Sequence, residues 1–157
     1  MGFSQMMELL QSKEKGRIVF CNLGEFYVAI GKDAVLLNEI LGLKVTCLKL
    51  EVCKVGFPIR SLEKYTELLI QKRYGFIVYY FNKWSKELEI LESYMGKNIN
   101  TITKQNINCY KCKHSEKYYK KTDMYVEAVA KLYEEELEKT KKDSRKICFI
   151  NKKKKIN

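Results

Sequence analysis

Between Gly24 and Ala34 the chain reads Gly-Glu-Phe-Tyr-Val-Ala-Ile-Gly-Lys-Asp-Ala, and few backbones accept that order. The preceding run Arg17–Leu23 is apolar and β-branched, which predicts a buried strand. Gly24-Glu25 then reads as a tight hairpin link, because glycine supplies the backbone freedom that such a turn demands. Phe26–Ile30 forms the returning strand, and Gly31-Lys32-Asp33 opens a helix with apolar positions Ala34, Leu37, Ile40 and Leu41, ended by Gly42. Alternate strand residues face opposite sides, so Phe26 and Tyr27 point apart and one of them can be plain core.

The same logic orders the rest of the first hundred residues. Met6, Met7, Leu9 and Leu10 recur at helical spacing after Ser4, which predicts a short N-terminal helix ended by Gly16. Leu43–Leu50 is strand-like, and Glu51–Lys54 leads into a loop that Gly56 and Pro58 close. A helix over about Ile59–Arg73 is expected to bury Leu62, Tyr65, Leu69 and Ile70. Phe76–Phe81 is a continuous apolar run of central-strand length and Asn82-Lys83 turns the chain, after which Lys86–Tyr94 alternates as a strand through Leu88, Ile90, Glu92 and Tyr94 but also fits a helix through Leu88, Leu91 and Met95.

Several of these blocks resemble the N-terminal mismatch-recognition domain, domain I, of the MutS family of DNA mismatch repair proteins. The blocks are Gly24-Glu25-Phe26-Tyr27 with Asp33-Ala34, Gly42–Thr46, Val55-Gly56-Phe57-Pro58 running into Ser61–Leu69, and Tyr74–Tyr80. Together they span roughly residues 4 to 82 in the family's order. The resemblance implies an α/β fold, a mixed β-sheet flanked by α-helices over residues 1–100. To this, residues 101–157 add a basic extension with one C-terminal helix and a basic tail. It also implies a mechanism in which Phe26 wedges between base pairs, as apolar side chains do in other minor-groove binders. The family's base-contacting Glu falls at Val28, which can neither donate nor accept, so bending or unstacking would have to carry any preference.

Charge points the same way. The net charge is +11, of which residues 1–100 carry +3 and residues 101–157 carry +8. Such an excess attracts a polyanion in a salt-dependent manner. Candidate DNA contacts are Phe26 and Tyr27 on the strand, then Lys49 and Lys54 from their charge and their neighbourhood to the wedge. Lys117, Tyr118 and Lys120, where tyrosines interleave with lysines, and Lys152 and Lys153 in the tail complete the set. Cys109, Cys112 and His114 offer three candidate zinc ligands without a second Cys pair, and two half-buried thiols are the simpler reading. The other cysteines sit in apolar runs and are expected to behave as small buried hydrophobes.

No Gly-x-x-x-x-Gly-Lys-Ser/Thr occurs, and no acidic cluster with a following Glu-x-Lys, so neither ATP hydrolysis nor metal-dependent nuclease chemistry is expected. No apolar run approaches the ~18 residues that span a bilayer, and no signal-like opening is seen, so a cytoplasmic chain is expected. The expected function is a non-catalytic module without cofactor, partnered by nucleic acid in the form of double-stranded DNA and by a larger DNA-processing protein. Two alternatives stand beside it: a protein-interaction adaptor docking through the apolar face of the Tyr125–Leu137 helix, and an RNA or single-strand binder using the Tyr118-Tyr119 cluster.

Overall fold

The computed structural model describes residues 2–49, 52–102, 125 and 128–135. Helix α1 (Phe3–Glu14) leads into β1 (Ile18–Leu23) and β2 (Phe26–Ile30), then α2 (Gly31–Leu41), β3 (Thr46–Lys49) and β4 (Val52–Pro58). A 3-10 turn (Ile59–Ser61) runs into α3 (Leu62–Gln71), followed by β5 (Phe76–Asn82) and β6 (Glu87–Tyr94). The six strands form one mixed sheet in the order β3-β4-β2-β1-β5-β6. β1 and β5 are parallel; the other pairs are antiparallel. The mixed sheet with helices around it is the expected architecture.

Period-2 alternation explains why the central strands read as unbroken apolar runs. In β1, Val19 and Cys21 enter the layer built with Met6, Met7 and Leu10 of α1, whereas Ile18 and Phe20 enter the layer with Ala34, Leu37 and Leu69 of α2 and α3. Both faces are covered along Ile18–Cys21, so these four positions are all apolar, and the first polar residue of the strand, Asn22, comes only near its end. β5 repeats this, with Ile77, Tyr79 and Phe81 in the first layer and Phe76 and Val78 in the second.

Two expectations are corrected. Residues 52–58 are a strand rather than a loop, because Cys53, Val55 and Phe57 alternate into the core and outweigh the turn signals of Gly56 and Pro58. Gly56 pairs with Val28 mid-strand, and a Cβ there would meet only ordinary contacts, the nearest the Tyr27 carbonyl oxygen at 3.4 Å. Pro58 sits at the strand's last residue, where a missing N–H costs least. In α3, Ile70 is 39 % exposed and Thr66 takes the buried place on the helix, its hydroxyl donating to the carbonyl of Glu63 at 3.1 Å.

The end of the sheet formed by Ile30 and Ile18 is held by a buried carboxylate. Asp33 stands in the first turn of α2, yet its side chain turns inward and is fully buried. Its Oδ2 accepts from the Val19 N–H at 3.0 Å and from Gln11 Nε2 at 2.9 Å, and its Oδ1 accepts from Asn100 Nδ2 at 2.8 Å. Burial holds its pKa above the ordinary 3.8, against the pull of those donors and of Lys32. One side chain thereby ties α1, β1, α2 and the chain after β6 together. Cys21 and Cys53 are free and buried, and burial pushes the Cys21 thiol up to about 12.

Candidate nucleic-acid interface

β1 and β2 are joined by the two residues Gly24 and Glu25, with Leu23 opposite Phe26. Gly24 has φ +61°, the conformation that a two-residue hairpin of this hand requires at its first position. The turn therefore delivers Phe26 at the first position of β2, at the sheet's rim.

Phe26, Val28 and Ile30 share one face of β2, yet their fates differ. Val28 and Ile30 lie in the layer covered by α1 and are at most 3 % exposed. Phe26 is beyond that cover and is 50 % exposed. Across from it stands Pro58 at the end of β4. The backbone N–H of Ile59 donates to the carbonyl of Glu25 at 3.0 Å, fastening the start of the 3-10 turn to the hairpin. Glu25, Phe26, Pro58, Ile59 and Arg60 thus line one shallow, open groove, with Ile59 itself 38 % exposed. Its floor is apolar, and it carries one acid and one arginine.

Tyr27 corrects one site expectation. It faces the other side of the sheet, is 2 % exposed, and packs near Phe57 with ring centroids 6.2 Å apart. Phe57 in turn contacts Phe20 and Tyr65, at 5.6 and 4.5 Å. Tyr27 is therefore core, and no surface contact is open to it. Strand alternation had left open which aromatic would be inside; the covering helices decide it.

Lys49 and Lys54 are also placed away from the wedge position. Antiparallel pairing sets Phe26 against Pro58 but Ile30 against Lys54, so Lys54 lies four residues along the strand, roughly 14 Å from the Phe26 level. Lys49 is opposite Val52, farther along the same hairpin. The expectation that these two lysines flank Phe26 came from reading residues 51–58 as a loop, and the strand removes it. Lys117, Tyr118, Lys120, Lys152 and Lys153, and the metal candidates Cys109, Cys112 and His114, lie outside the described residues. Among the described residues no three His, Cys, Asp or Glu side chains cluster as a metal site. No helix of the described residues is long and apolar enough to cross a membrane.

Sequence reasoning missed Ile59 and Arg60, which it assigned to the start of a helix, and the hairpin tip between β5 and β6. That tip, Lys83-Trp84-Ser85-Lys86, is wholly exposed, Trp84 at 95 %. The signal was present: the chain's one tryptophan stands between lysines in a turn.

The docking face foreseen on the Tyr125–Leu137 helix is corrected over its described part. Tyr125, Ala128 and Val129 are buried in the α1-side layer, with Tyr125 against Phe81 and Phe3 at centroid distances of 4.7 and 5.8 Å. Lys131 pairs with Glu87 at the base of the β5–β6 hairpin. The helical residues 128–135 therefore close this domain's own core.

Comparison with known proteins agrees with this architecture. The DNA mismatch repair protein MutS of Thermodesulfovibrio yellowstonii is 37 % identical over 75 residues, covering 44 % of this chain and 9 % of that protein. The chain therefore corresponds to a small fraction of the length of that relative. A family model described as MutS domain I matches residues 1–109, well over half of the chain, and the chain belongs to the MutS domain I family.

Proposed function

We propose that this chain is a non-catalytic DNA-binding module that meets distorted or mismatched double-stranded DNA through the Phe26 rim, serving a larger DNA-processing or mobile-element machine. The observation that carries the proposal is the exposure of Phe26 at 50 % on a strand whose other four residues are all buried. A half-exposed aromatic beside an exposed isoleucine forgoes burial worth about 25 cal/mol per Å2, a cost that contact with stacked bases would recover.

Reading is by shape. Val28 occupies the position that resembles the family's base-contacting Glu, and at 3 % exposure under α1 it is sealed from solvent as well as apolar. The energy of unstacking and bending therefore supplies any discrimination, and it is smallest at mismatched or bulged steps. Arg60 on the rim, with the lysines of residues 101–157, supplies the sequence-independent attraction to phosphate.

The test is the affinity of the full chain and of Phe26→Ala for matched, mismatched and bulged duplexes at several salt concentrations. Tighter binding to the distorted duplexes, lost in a Phe26→Ala variant that stays folded, is the expected result. Absence of binding at low salt overturns the proposal. The adaptor reading keeps one observation in its favour: Ile90, Leu91, Met95 and Ile99 are all more than half exposed along and beyond the edge strand β6. It predicts a partner whose binding depends on these residues and not on Phe26.

A further inference from the structure

Phe26 and Trp84 stand at the same end of the sheet. β1 and β5 run parallel with Cys21 level with Tyr79, so the last residues of both strands reach one rim together. The side chain of Asn22 fixes this arrangement, accepting from the Phe81 N–H at 2.6 Å and donating to the Phe81 carbonyl at 3.0 Å. Leu23 is opposite Phe26, and Phe81 is opposite Leu88 across the next pair. Phe26 and Phe81 are thus two strands apart in one row, roughly 10 Å at the usual inter-strand spacing.

The tip beyond Phe81 is built rather than loose. Asn82 Oδ1 accepts from the Trp84 N–H at 2.9 Å and from the Ser85 N–H at 3.3 Å. The Lys86 N–H closes the turn on the Asn82 carbonyl at 2.8 Å, with Lys86 in the left-handed region at φ +54°. Glu87, the acid at its base, is paired with Lys131. What the turn offers outward is Trp84, 95 % exposed, between the exposed Lys83 and Lys86. An aromatic face flanked by cations suits a base with its phosphates.

We propose that the Lys83–Lys86 tip is a second contact on the same DNA, with Trp84 stacking on an unpaired base while Lys83 and Lys86 hold the adjoining phosphates. This rests on the reading of Phe26 given above and adds a substrate class. Base faces are closed to Trp84 within an intact stack, so a base must be unstacked there for it to bind. The preferred ligand is therefore a duplex with a looped-out or branched single-stranded stretch beside the distortion at Phe26, ahead of a duplex with one mismatch.

Trp84 reports on itself, being the chain's one tryptophan. The full chain is titrated with matched duplex, single-mismatch duplex and duplex carrying a bulge of several nucleotides, following anisotropy of the labelled DNA and tryptophan emission together. Quenching of the emission with the bulged duplex, and loss of affinity on the order of tenfold in Trp84→Ala with Trp84→Phe retaining most of it, is the expected result. Lys83→Gln and Lys86→Gln each lower the salt dependence by about one phosphate contact. DNA binding by anisotropy with unchanged emission and an unaffected Trp84→Ala overturns the second contact and leaves the Phe26 rim standing. No binding to any duplex overturns both.

Discussion

The two ends of the central strands are built on opposite principles. At the Ile30 end a carboxylate is fully enclosed and accepts from three donors on three separate segments. At the Phe26 end two large aromatics are left in water, at 50 % and 95 % exposure. A polar group inside and apolar groups outside both run against simple partition. The first is resolved within the chain, because its hydrogen bonds are satisfied. The second is not resolved within the described chain, and that is what marks it as the surface that needs a partner.

Substitutions sharpen this contrast, beginning with the neighbouring aromatics. Tyr27→Ala removes a ring packed on Phe57 and is expected to lower stability by about 3–5 kcal/mol in chemical denaturation. Asp33→Ala strands the Val19 N–H, Gln11 and Asn100 donors and is expected to cost about 2–4 kcal/mol. Phe26→Ala, by contrast, should change stability by less than about 1 kcal/mol, because half of the ring already faces solvent. A loss from Phe26→Ala as large as that from Tyr27→Ala would show that the rim is core after all and would break the comparison.

The smallest effect is a slope with pH. Burial raises the Asp33 pKa above its unfolded value near 3.8, so the folded state binds the proton more tightly than the unfolded state. Its contribution to stability is then complete below that unfolded value and is lost as pH rises through the folded one. The stability of the native chain relative to Asp33→Asn should accordingly grow as pH falls from 7 toward 4. The reverse slope, measured by denaturation at each pH, would mean that the three donors outweigh desolvation.

Much of the fold was legible because it rests on short-range pattern. The β1–β2 hairpin, α2 with Gly42 at its end, and the apolar run of β5 all fall where periodicity and turn chemistry place them. β4 was not legible. Gly56 and Pro58 are strong turn signals, and the fact that β2 supplies a partner for every residue from Lys54 to Pro58 is not written locally. The misplacement of Lys49 and Lys54 follows directly from that one error. Ile70 and Thr66 were exchanged for a related reason, since a helical stripe is wide enough for its boundary to be set by whatever it packs against.

The amino-acid order alone settled the β1–β2 hairpin, α2 and β5, the membership of Phe26 and Tyr27 in one strand with opposed faces, and the concentration of positive charge after residue 100. Which of the two rings is covered, that Asp33 turns inward instead of serving its helix end, and that Trp84 shares a rim with Phe26 were decided by tertiary structure. The physical reason is range. Backbone preference and hydrophobic period act over a few residues, whereas burial depends on helices and strands that arrive from elsewhere in the chain.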